Sequence, residues 1–143
     1  MNVSDSAPTI GTLWIGDELS FLEQMCILSF RALGHRVVLF HYGKVANVPE
    51  GIEQVCAEEI HEPQEILFNS QFKTPVPQSD IFRLQMMLKT DFIWCDADIL
   101  ALKPILREDH IFGYFNKNTI CNAVMRLPPE SAALKAYVKH SLN

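Results

Sequence analysis

The chain lacks most of the features that announce a function on their own. Its four cysteines, Cys26, Cys56, Cys95 and Cys121, lie far apart and form no C-x-x-C pair. That spacing argues against a zinc site and against a disulfide framework. Isolated thiols inside apolar runs behave as small core residues, and they point to a reducing, cytoplasmic compartment. No run of Lys and Arg stands out and the formal net charge is −5, so nucleic acid is not an expected partner. No apolar run approaches the roughly 20 residues of a transmembrane segment. The start, MNVSDSAPTI, has neither the basic nor the apolar part of a signal peptide. G-x-S-x-G, H-E-x-x-H and P-loop patterns are missing, and His35, His41, His61, His110 and His140 show no ligand spacing.

What is present is a chain of 143 residues, 48% of them apolar, enough for one domain with a real core over residues 1–143. After an irregular start over residues 1–8, Thr9–Ile15 reads as a strand closed by Gly16 and Asp17. Residues 18–33 place Leu19, Leu22, Met25, Cys26, Phe30 and Leu33 at helical spacing, with Gly34 as a stop. His35–Tyr42 holds the run Val-Val-Leu-Phe, a second strand. Strand, helix, strand favours a parallel sheet.

Farther on, Ile52–Cys56 suits a third strand, and residues 64–78, with Pro75 and Pro77, suit a loop. Ser79 suits the N-cap of a helix reaching Lys89 or Thr90. Phe92–Cys95 reads as a buried strand, with Ile99–Leu102 as a short continuation. Ile111–Phe115 and Thr119–Leu127 read as strands around an Asn-Lys-Asn turn, and Pro128-Pro129 opens a helix over Glu130–His140.

Two charged sets break this apolar pattern. On a wheel of about 100° per residue, Asp80 and Arg83 share one side of a helix that is otherwise mostly apolar, so both need partners. An ion pair with each other at i, i+3 is one solution. Asp96-Ala97-Asp98 follows the strand Phe92–Cys95, and strand alternation points both carboxylates to one face. They fall at the C-terminal edge of a strand, where open α/β sheets bind ligands. Two close carboxylates repel unless a cation lies between them or one is protonated. Oxygen donors suit Mg²⁺ or Mn²⁺, which also bind phosphate. A solvated turn is the plainer alternative.

Taken together, Ser79-Asp80-Ile81-Phe82-Arg83, then Asp96-Ala97-Asp98, then Leu100-Ala101-Leu102-Lys103-Pro104 resembles GT-A fold glycosyltransferases with the sugar-binding-region D-x-D motif. That group includes the glucosylating bacterial toxins and α-1,4-galactosyltransferase-like enzymes. Leu13-Trp14-Ile15-Gly16 looks like the group's first strand. The resemblance implies a GT-A-like (Rossmann-like) α/β domain with a mixed, mostly parallel sheet flanked by helices. It implies sugar transfer from a nucleotide-sugar, UDP-linked in the group's manner, to a saccharide or glycoconjugate acceptor, with retention of configuration and Mn²⁺ or Mg²⁺.

By the same resemblance Trp14 lies against the uracil ring, and Asp80 and Arg83 hold hydroxyls of the sugar or ribose. Asp96 contacts ribose, sugar and the metal's shell, and Asp98 ligates the metal. Asn122, in Asn122-Ala123-Val124-Met125, touches the donor sugar, although Val124 departs from the group's pattern. Thr90-Asp91 and Trp94-Cys95 also depart from the usual Gly-Gly and aromatic-Leu. Members of the group carry a further C-terminal segment with another metal ligand and much of the acceptor site. The chain therefore matches the donor half. A non-catalytic nucleotide-sugar-binding module and a structural or interaction domain are the alternatives, and an apolar face left open in any of these cases favours a homo-oligomer.

Overall fold

The computed structural model describes residues 7–141, so most of the irregular start expected over residues 1–8 lies outside the described residues. The elements run β1 (Ile10–Trp14), α1 (Phe21–Ala32), β2 (Val37–His41), β3 (Glu53–Cys56), α2 (Val76–Lys89), β4 (Ile93–Cys95), β5 (Ile111–Asn116), β6 (Thr119–Arg126) and α3 (Ala132–Ser141). A 3₁₀ turn, Ala57–Glu59, follows β3. The strands form one sheet in the order β3-β2-β1-β4-β6-β5. β3, β2, β1 and β4 are parallel, while β6 runs antiparallel to both β4 and β5. The fold is α/β, with a mixed sheet flanked by three helices.

Alternation along the central strands builds two cores. Val37 and Leu39 join Ile10, Ile27, Phe30, Ile93 and Cys95 on the α1 side. Val38 and Phe40 join Leu13, Phe82, Met86, Met87, Trp94 and Leu134 on the α2–α3 side. A strand covered on both faces has no polar position to spare, which is why β2 reads as one apolar run. Complete burial of a side chain such as Phe82 contributes about 1.5–3 kcal/mol relative to leaving it exposed.

Gly11 lets α2 come close: a Cβ there would meet Met86 Sδ at 2.4 Å. Ser20 caps α1, with Ser20 Oγ accepting from the Leu22 N–H and Glu23 accepting from the Ser20 N–H. No helix of the described residues is long and apolar enough to cross a membrane.

Three expectations about elements need correction. α2 begins at Val76, one turn before Ser79, because Pro77 lies in its first turn, where a missing N–H costs nothing. Ser79 therefore sits inside the helix, and its Oγ accepts from Arg83 instead of capping. Ile99–Leu102 is not a strand. The chain turns at Asp96, where the Ile99 N–H donates to the Asp96 carbonyl at 3.1 Å, and then crosses to α1. There the Ala101 N–H donates to Ser29 Oγ at 2.8 Å. α3 starts at Ala132, with Ser131 Oγ accepting from the Leu134 N–H.

Candidate functional site

The strand order places a crevice before any side chain is considered. From β1 the chain moves outward to β2 and β3, then returns to the other side of β1 as β4. The carboxyl ends of β1 and β4 are therefore the topological switch point, where α/β sheets open a ligand crevice. A cavity of about 470 Å³ lies there. Trp14 comes to it from the end of β1, and Asp80 and Arg83 come from α2. Asp96 and Asp98 come from the turn after β4, and Asn122 from β6. Residues spread over more than a hundred positions thus share one cavity wall.

Arg83 is its hub. The side chain is buried. Nη1 donates to the Asn122 carbonyl at 2.7 Å, and Nη2 to Ser79 Oγ at 3.2 Å. Ion pairs reach Asp80 at 3.2 Å and Asp96 at 3.4 Å. The guanidinium also stacks over Trp94, 4.8 Å from the ring centroid. The i, i+3 pair expected between Asp80 and Arg83 exists, and the same guanidinium joins it to Asp96 across the cavity.

The two carboxylates of the D-x-D differ in kind. Asp96 is held: Trp94 Nε1 donates to its Oδ1 at 2.7 Å, and its own N–H donates to the Ala123 carbonyl at 2.8 Å. Burial pushes its carboxyl above the ordinary carboxylate value, while Arg83 and the Trp94 indole pull it down. Asp98 is exposed and makes no hydrogen bond or ion pair with the described residues. Strand alternation does not bring the two together, because β4 ends at Cys95 and both stand on the following turn.

Trp14 is half-buried, and its Nε1 donates to the Glu18 carbonyl at 2.9 Å. That bond anchors the indole, which lines the cavity. Asn122 Nδ2 reaches Asp80 Oδ1 at 3.4 Å and Tyr137 Oη at 3.2 Å.

Sequence reasoning missed Glu23, Trp94 and Tyr137. Glu23 lines the cavity but is committed to α1's cap. The positive end of α1 is thereby answered from within the chain, so it offers no free cradle for phosphate. Trp94 had a signal, since an indole N–H at the end of an apolar strand needs a polar partner and two acids follow it closely. Tyr137, on α3, had none.

The lining holds the carboxylates of Glu23, Asp80, Asp96 and Asp98 against the single guanidinium of Arg83. Such a surface attracts cations and repels a bare diphosphate. Among the described residues, no three His, Cys, Asp or Glu side chains cluster as a complete metal site. The donor set still suits a hard cation: Asp98 is unengaged, and Asp96 keeps Oδ2 free of the bonds made by Oδ1. Phosphate and water would have to complete the shell, as Mg²⁺ and Mn²⁺ allow. No protein-family model matches the chain, and no curated protein matches it significantly.

Proposed function

We propose that this cavity is the donor site of a GT-A-like glycosyltransferase. The donor is a nucleotide-sugar, UDP-linked, and the transfer goes to a saccharide or glycoconjugate acceptor with retention of configuration. The observation that carries the reading is the convergence of Trp14, Asp80, Arg83, Asp96, Asp98 and Asn122 on one cavity at the switch point of the sheet. In this reading Trp14 presents its anchored ring to the base. Asp80, oriented by Arg83 and Asn122, accepts hydroxyls of ribose or sugar. Asp98, with the free side of Asp96, holds Mn²⁺ or Mg²⁺. A cation so held offsets the charge of the diphosphate and eases its departure as the glycosidic bond breaks. The excess of carboxylates supports a cation requirement, and the four free thiols support a reducing, cytoplasmic setting.

Calorimetric titration of UDP, with and without Mn²⁺, tests the site on the wild-type chain and on Asp98→Ala. Binding that requires Mn²⁺ and vanishes in the variant is expected. No binding to folded wild type with Mn²⁺ overturns the reading. Turnover with a panel of UDP-sugars then distinguishes a transferase from a binding module.

A further inference from the structure

α1 carries a second apolar stripe that the core does not use. Cys26, Ile27 and Phe30 face the sheet. On the opposite side Phe21, Met25, Leu28 and Ala32 follow one another at spacings of four, three and four residues. That is the a/d pattern of a helix–helix seam, here pointing to solvent. Phe21 is 80% exposed, and Leu22, Met25 and Leu28 are also exposed. A neighbouring segment widens the patch. The bond from the Ala101 N–H to Ser29 Oγ sets the exposed Leu100 and Leu102 beside α1. Phe21, Leu22, Met25, Leu28, Leu100 and Leu102 present on the order of 600 Å² of apolar surface, at the upper end for a monomer. Each partner of a standard interface buries about 800 Å².

We infer that this face is the interface of a two-fold dimer, in which α1 packs antiparallel against α1 of a second copy. The stripe is complementary to itself in that arrangement. A two-fold that sets Met25 opposite Leu28 of the second copy also sets Phe21 opposite Ala32, so the largest residue meets the smallest. Charge agrees. Asp17 and Glu18 are exposed just before the helix, and Arg31 is exposed in its last turn. Antiparallel packing brings the acidic start of each helix to the basic end of the other and opposes their dipoles. The seam itself carries no ionisable group, so closing it desolvates no ion pair. An unrelated partner would have no reason to match this reversal of both size and charge.

Sedimentation equilibrium of the full chain across the micromolar range, without nucleotide, tests the inference. A dimer in exchange with monomer is expected. Leu28→Glu, at an exposed position, should raise its dissociation constant about a hundredfold with an unchanged circular dichroism spectrum. If that variant loses its fold, Met25→Lys gives the same reading from the neighbouring seam position. Arg31→Glu should weaken the dimer, and combining it with Asp17→Lys and Glu18→Lys should restore it. Monomer at every concentration overturns the inference, as does a dimer indifferent to the seam substitution or to the charge reversal. Because no ligand is involved, failure here is separate from failure of the donor-site reading.

Discussion

Trp94 donates its indole N–H to Asp96 at 2.7 Å, so a fully buried ring at the end of β4 grips the first carboxylate of the D-x-D. The same ring lies under the Arg83 guanidinium. Strand, aromatic, cation and carboxylate therefore form one rigid unit. Asp98, two residues on, is left open to solvent and free to bind. The geometry divides the motif into a positioned residue and an available one.

Trp94→Phe keeps most of the buried ring and deletes the donor. Asp96 then faces the cavity with one fewer hydrogen bond, and Arg83 loses part of its aromatic platform. A stability loss of about 1.5–3 kcal/mol is expected from the charged hydrogen bond and the space left by the smaller ring. Urea unfolding measures it, and a loss well under this range would mean that the indole bond is incidental. Affinity for UDP with Mn²⁺ should fall as well.

Arg83→Lys tests whether fork geometry matters or charge alone. A lysine ammonium cannot meet Asp80, Asp96, Ser79 and the Asn122 carbonyl together. Charge is conserved, yet a loss of about 1–2 kcal/mol is expected, because partly buried acceptors are left without donors. Wild-type denaturation midpoint and wild-type nucleotide affinity in this variant would show that the hub is dispensable.

Much of the site was legible because its residues contradict their surroundings. Asp80 and Arg83 on an apolar helix and two acids after an apolar strand are conflicts that packing cannot settle locally, and the fold answers Asp80, Arg83 and Asp96 with one another while leaving Asp98 to solvent. The β1–α1–β2 order was legible from periodicity for the same reason. The start of α2 was not, since a proline in a first turn and a proline in a loop look alike until the helix is seen. Nor was the course of Ile99–Leu102, which a bond from the Ala101 N–H to Ser29 Oγ ties to α1. Arg126 shows the same limit. It lies on β6, and its Nη1 meets the carbonyls of Met87, Thr90 and Phe92 at the end of α2, a long-range cap that no local pattern records.

The acid side of the stability profile should carry a contribution from His61. Burial lowers its pKa below the ordinary 6.5, and Lys89 nearby adds to the shift. The folded state thus binds this proton less readily than the unfolded state. The resulting stability is complete above pH 6.5 and is lost as pH falls through the lowered folded value. His61→Gln removes the titration and leaves the backbone carbonyl that accepts from Tyr42 Oη. Wild type minus variant stability, from urea unfolding at a series of pH values, should shrink as pH drops below 6.5. A difference that stays constant or grows in acid contradicts the assignment.

Tyr137 offers the sharpest separation of scaffold from site. Its ring packs partly buried against the α2–α3 core, while its Oη accepts from Asn122 Nδ2. Tyr137→Phe keeps the packing and removes that acceptor. The Asn122 amide is then held only by the longer contact to Asp80, at 3.4 Å, so Asp80 loses part of its orientation. The stability cost should be about 1 kcal/mol, one ordinary side-chain hydrogen bond. With Asp80 on a sugar hydroxyl, affinity for a UDP-sugar falls about threefold to tenfold and affinity for UDP alone changes little; with Asp80 on a ribose hydroxyl, both fall alike. Equal weakening of both ligands would assign the Asp80 contact to the ribose. No change in either would remove Asn122 and Asp80 from the sugar's reach.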